Sequence, residues 1–123
     1  MEYARTVSVS ERFVQIGLLG EAVDGAGVAV LVADENGAYV AANIYACELL
    51  GYSREELLTL RVHDVTVADD VAAHYARFVN ERRERGAVTL RRKDGSTFAF
   101  RYVAGETKIS ALTYYVSFGL PED

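Results

Sequence analysis

The residue types able to do chemistry are few in this chain and poorly placed for catalysis. Its single cysteine, Cys47, lies between Ala46 and Glu48 with no base positioned near it in sequence. A nucleophilic thiolate needs a cationic or helix-terminal neighbour to depress its pKa, so Cys47 reads as a small packing residue. One cysteine also excludes an internal disulfide and any multi-cysteine zinc or iron–sulfur site. His63 and His74 form no metal-ligand spacing, and His63 beside Asp64 reads as a surface residue. Asp69-Asp70 is not a catalytic carboxylate pair, because neighbours at a helix start point to different sides and complement the helix dipole. Gly25-Ala26-Gly27 precedes an apolar β-branched run, the wrong order for a phosphate-cradling loop. What remains is aromatic: eight Tyr and five Phe, without Trp.

Those residues must be positioned by one domain. The chain has 123 residues, 50% of them hydrophobic, enough for a single core and too short for a second domain. The net charge of −5 is uneven: residues 1–70 sum to −8 and residues 71–123 to +3, with seven bases between Arg82 and Arg101. Glu81, Glu84 and Asp94 are mixed into that cluster, so it reads as a solvated helix end and hairpin flank, not a nucleic-acid groove. The longest apolar run, Gly25 to Ala33, is about half a bilayer span, and no basic-then-apolar leader opens the chain. The expectation is a soluble, cytoplasmic protein with no membrane and no nucleic-acid partner.

The elements are well punctuated. Ser8-Val9-Ser10-Glu11 is a capping box, and Phe13, Ile16, Leu19 and Val23 follow at helical spacing, predicting an amphipathic helix over 9–23. Residues 28–33 read as a strand, Asn36-Gly37 as a hairpin turn and residues 38–42 as its return. Asn43 is an N-cap for a helix over 44–50 that Gly51 stops, and Ser53 with Glu56 forms a second capping box. A turn at residues 62–65 leads to a longer helix from about Val67, ending at Gly86 or earlier at Asn80. Residues 87–92 and 96–104 flank Lys93-Asp94-Gly95 as a second hairpin. A looser turn over 105–110 precedes a closing strand over 111–119. Large residues recur at period two in Phe98, Phe100, Tyr102 and in Leu112, Tyr114, Val116, Phe118, predicting one rich inward face. The opposite face is half apolar, so it too is expected to be covered.

This order, with Val32-Ala33-Asp34-Glu35-Asn36-Gly37, Ala42-Asn43, Leu50-Gly51-Tyr52-Ser53-Arg54-Glu55-Glu56-Leu57, Ala68-Asp69-Asp70 and Arg91-Arg92-Lys93-Asp94-Gly95-Ser96-Thr97-Phe98, resembles the PAS domain family over roughly residues 24–119. The resemblance implies an α+β fold: a five-stranded antiparallel sheet with central helices on its concave face. Residues 1–24 would be a flanking amphipathic helix and residues 25–120 the PAS domain. It implies a sensor or interaction module, not an enzyme, commonly homodimeric. Light-sensing flavin members need a cysteine where this chain has Leu60-Arg61-Val62-His63-Asp64-Val65, and coumaroyl-binding members where it has Thr66-Val67-Ala68. Neither covalent chromophore fits.

In this family a cavity for a small organic ligand lies between helices and sheet when the core is not solid. Its expected lining here is Val62, Val71, His74, Tyr75 and Phe78 from the helical side and Phe100, Tyr102, Tyr114 and Phe118 from the sheet. Haem through His74 is disfavoured, because His74 borders the stripe of Val71, Tyr75 and Phe78 and does not centre it. Counting from Gly86, the family's haem-ligand position falls nearer Tyr75; counting from Asn80, nearer Asp69 or Asp70. The expected partner is a second copy, met through the N-terminal helix and the outer sheet face, together with an effector protein or a trimmed effector domain. A ligand-free interaction module is the close alternative. A cone-shaped α+β enzyme is disfavoured because the Asn-Gly hairpin precedes the central helices.

Overall fold

A computed structural model describes residues 9–67 and 83–122. In chain order these form α1 (Val9–Asp24), β1 (Ala29–Asp34), β2 (Tyr39–Ala42), α2 (Ile44–Leu50), α3 (Arg54–Leu57), α4 (Val62–Val65), β3 (Arg83–Arg91), β4 (Thr97–Ile109) and β5 (Leu112–Pro121). The strands make one antiparallel sheet in the order β2-β1-β5-β4-β3. β5 therefore sits at the centre of the sheet, between β1 and β4, and the last three strands form a meander. The fold is the expected α+β architecture.

The local signals act as their chemistry requires. The Asn43 side chain accepts from the Ala46 amide to start α2, and Gly51, at φ 80°, ends it in the left-handed region that disfavours a Cβ. Ser53 and Glu56 form a reciprocal capping box, with Ser53 N–H donating to Glu56 Oε1 at 2.8 Å and Glu56 N–H to Ser53 Oγ at 3.1 Å. Gly37 and Gly95 close the two short hairpins at φ 79° and 90°.

The two sequence motifs separated by forty residues meet in space. The Lys93 amide donates to Leu50 O at 2.9 Å, Lys93 Nζ reaches Glu56 Oε2 at 2.6 Å, and Arg92 Nε donates to Leu49 O at 3.1 Å. Arg92 also lies 4.3 Å over the Phe98 ring. The β3–β4 turn is thereby tied to the α2–α3 corner, which holds the far end of the sheet against the helices.

Two expectations about the last third need correction. β4 does not end near Ala104: Gly105 pairs with Val116, and the strand runs on to Ile109, opposite Leu112. The turn is the two-residue pair Ser110-Ala111, both at positive φ (51° and 67°), which suits the right-handed twist of a hairpin. The residues between are polar, and their ladder partners, not their composition, make them strand. Gly86 is not the end of a helix either, because it lies inside β3 opposite Tyr102. The alternative helix end at Asn80 falls outside the described residues.

Candidate functional site

The register settles which side chains share the inner face of the sheet. Tyr102 stands between Gly86 on β3 and Gly119 on β5, and Gly119 is in turn opposite Ala29 on β1. Phe100 is flanked by Val88 and Pro121, and Phe98 by Leu90. Toward the other end Ala104, Ser117 and Leu31 form a row, followed by Glu106, Tyr115 and Ala33. Residues directly opposite in an antiparallel ladder project to the same side, so these rows form one surface.

Gly119 has no room for a side chain because of the ring beside it, whereas Gly86 leaves ordinary contact distance. Phe100 lies against Gly119, where an added Cβ would be 2.3 Å from Phe100 Cζ, and Tyr102 lies against Gly86, where a Cβ would be 3.5 Å from its hydroxyl. Phe100 and Tyr102 stack at 6.4 Å with planes 10° apart, and Phe98 meets Phe100 edge-on at 6.2 Å.

Over the β1–β2 half the helices close the core. Ala46 and Leu50 of α2, Leu57 of α3 and Val65 of α4 are buried with Ala29, Leu31, Ala33, Tyr39, Ala42, Leu90, Phe100 and Tyr102. Val62 is half-buried against the same cluster. Burial, with the Asp64 carboxylate adding to it, raises the Tyr39 phenol far above its ordinary pKa. Burial also raises the Cys47 thiol, although the Arg54 guanidinium opposes it. Cys47 is therefore held as the thiol, as a packing residue would be.

Of the expected lining, Phe100, Tyr102 and Val62 belong to one cluster. Tyr114 and Phe118 do not. Phe118 pairs with Val30 and Val103, and Tyr114 with Asp34 and Thr107, so both project from the outer face, opposite to Phe100 and Tyr102. The alternation in β5 was real, but it marks the outer side, because the inner side is reserved for Gly119 and the rings across it. Tyr115, Ser117 and Glu106 take the inner places that sequence reasoning missed. The signal available was Gly119 itself, a strand glycine beside large aromatics on a neighbouring strand. Val71, His74, Tyr75 and Phe78 lie outside the described residues.

The outer face is the second candidate surface. Val103, Phe118 and Leu120 are exposed on it, with Val116 and Tyr114 half-buried. The helix α1 is exposed from Glu11 to Val23, and Phe13 (67%), Ile16 (59%) and Leu19 (64%) present their apolar side chains to solvent. Between α1 and the β2–α3 wall runs an open groove of about 510 Å³ lined by Gly17, Gly20, Val40, Arg54 and Leu58. Among the described residues no group of His, Cys, Asp and Glu is arranged to hold a metal ion, and no helix is long and apolar enough to cross a membrane.

Compared with known families, residues 27–110 match the profile of the PAS domain. The chain belongs to the PAS domain family. A PAS domain from a two-component sensor histidine kinase is similar in structure, with a TM-score of 0.82 and 18% identity over 90% of this chain and 99% of that one. The PAS domain of a protein from Colwellia psychrerythraea superposes with a TM-score of 0.79 at 18% identity, covering 88% of this chain and 97% of the other. An RNA-binding light-oxygen-voltage receptor is similar over 95% of this PAS domain but only 36% of its own length, with a TM-score of 0.79 and 22% identity. At such identities the likeness is one of fold. No curated protein sequence matches the chain.

Proposed function

We propose that this PAS domain is a cytoplasmic sensory and signal-transduction module, not an enzyme. In this reading it homodimerises through α1 and the outer face of the sheet, and its core takes up a small organic ligand without a covalent bond. The observation that carries the reading is the unpartnered apolar surface. Phe13, Ile16 and Leu19 on α1, with Val103, Phe118 and Leu120 on the sheet, are all exposed. An apolar helix face of this size is stable in water only when something covers it. A second copy supplies the matching surface, and two-fold dimers are the commonest closed assembly. The similar PAS domain taken from a sensor histidine kinase supports the signalling half, with an effector protein or domain as the recipient.

Light scattering at high micromolar concentration tests the dimer. A dimer mass is expected, and Ile16→Glu with Leu19→Glu returns it to a monomer; a monomeric wild-type chain overturns the interface. The ligand is tested by the visible absorption spectrum of the purified protein and mass spectrometry of whatever denaturation releases. A Soret band points to haem and makes His74→Ala the next variant. A colourless protein that releases nothing favours the second reading, a ligand-free interaction module. The Phe100 and Tyr102 rings, stacked on each other with Phe98 edge-on to Phe100 on the inner face, favour that solid core.

A further inference from the structure

We propose that Asn43 is a positioning residue that acts as the joint between α1 and the core, passing rearrangements of α2 against β1 into the end of α1. Its carboxamide is buried, and its hydrogen-bonding groups are divided among separate elements. Oδ1 accepts from Ala46 N–H at 3.0 Å, which caps α2, and from Val30 N–H at 2.9 Å in β1. Nδ2 donates to Val23 O at 2.9 Å, in the last turn of α1, and to Val28 O at 2.8 Å, just before β1. Two acceptor positions and two amide protons are all that an asparagine side chain offers, so the group is saturated. Its backbone is engaged as well, with Asn43 N–H donating to Val30 O at 3.0 Å.

A second tie lies alongside. The Arg54 guanidinium pairs with Asp24, the last residue of α1, while its Nε donates to Ala42 O at 3.0 Å. Beyond these ties the described part of α1 is exposed from Glu11 to Val23. The helix is thus attached at its C-terminal end, through a side chain that also bridges α2 and β1. A displacement of α2 from β1 must either break the Oδ1 bonds or carry the carboxamide with it. In the latter case Nδ2 moves the last turn of α1.

An ordinary N-cap needs only the oxygen, and Ser or Asp serves as well. The two donor bonds to Val23 and Val28 are what the capping role leaves unexplained. The coupling takes its purpose from the sensory reading above, whereas its mechanics are measured without any ligand, so the two fail separately.

Amide hydrogen exchange by NMR on the whole chain tests the joint. Asn43→Asp keeps the acceptor for Ala46 and Val30 and removes both donors. The expected result is exchange at Gly25 and Ala26, whose amides bond Glu21 O and Val23 O, accelerated about tenfold relative to Val30, Ala46 and Tyr102. The order parameters of α1 should fall below those of the sheet. Arg54→Gln, at an exposed position, should loosen the same two amides about threefold, and it carries the test if the buried carboxylate of Asn43→Asp prevents folding. Lys93→Gln, which breaks the exposed ion pair with Glu56 and touches neither Asn43, Arg54 nor Asp24, should leave α1 unchanged. Equal acceleration across α1, β1 and β4, or no change at Gly25 and Ala26 in either joint variant, overturns the proposal. So does a loosened α1 in Lys93→Gln.

Discussion

A methyl group at position 119 has no room. Built on the Gly119 backbone, the Cβ of an alanine would lie 2.3 Å from Phe100 Cζ, 2.5 Å from Phe100 Cε2 and 2.6 Å from the Arg101 carbonyl oxygen. Non-bonded carbons sit comfortably at about 3.5–4.0 Å, so the ring must retreat by more than about 1 Å. Phe100 is 3% exposed and lies between Phe98 and Tyr102, so it cannot retreat without displacing a neighbouring ring. The Arg101 carbonyl cannot swing away, because its residue is paired with Leu120 in the β4–β5 ladder. Overpacking of a core costs about 1–3 kcal/mol, and a clash with both ring and backbone puts Gly119→Ala near the top of that range. The upper bound is the roughly 3–5 kcal/mol of deleting a buried Phe outright. A loss of about 3 kcal/mol is a large part of the ~5–15 kcal/mol that a domain of this size has. Urea denaturation followed by far-UV circular dichroism measures it, the midpoint falling with the slope unchanged. The double variant Gly119→Ala, Phe100→Ala should lose less than the sum of the single losses by about 1 kcal/mol or more, because the ring is no longer there to be displaced. A single Gly119→Ala variant within about 0.5 kcal/mol of wild type would refute the packing argument and the register it rests on.

Three further outcomes can be measured with the same denaturation assay and a spectrophotometric titration. Gly51→Ala places a Cβ at φ 80° and should cost about 1–2 kcal/mol, although the space around it is open enough for the methyl group. Hydrogen bonds from Lys93 and Ser53 hold the Glu56 carboxyl below its ordinary range. A depressed carboxylate adds stability above its unfolded pKa of about 4.3 and loses it as pH falls through the folded value. The difference between wild type and Lys93→Gln should therefore be present at about pH 6 and shrink below about pH 4. A constant difference would mean that the pair acts through packing alone. Tyr39 has the opposite sign: its raised folded pKa makes its contribution complete below about pH 10 and lost as pH rises beyond that. In a titration at the tyrosinate band Tyr39 should stay silent until alkaline unfolding, and Tyr39→Phe should remove that late contribution. A Tyr39 that ionises before the chain unfolds, with no amplitude lost at that step in Tyr39→Phe, would show that its ring is open to solvent.

Much of the fold was legible because its local signals report physics that acts within a few residues. The caps at Asn43 and Ser53, the helix stop at Gly51 and the tight turns at Gly37 and Gly95 each settle a backbone conformation from immediate neighbours. The pairing of the motifs around Tyr52 and Asp94 was visible as order along the chain. Their contact, through Lys93 with Glu56 and Leu50, was not. The end of β4 was misjudged for the opposite reason: residues 105–109 carry loop-like composition, and only the partner strand makes them strand.

Sequence alone determined the order of most elements and the tight turns at Gly37 and Gly95, and it located an amphipathic helix at the start and aromatic strands at the end. Only the tertiary structure decided which face of β5 looks inward. Period-two alternation names two faces but does not label them, and a one-residue difference in register exchanges them entirely. Here the label is set by a steric fit between strands: the Phe100 ring occupies the space over Gly119, so the small residue faces the core and Tyr114 and Phe118 face out. Likewise Asn43 is recognisable in sequence as a cap. That its other two hydrogen bonds reach Val23 and Val28 depends on β1 and α1 arriving beside it, which no local rule specifies.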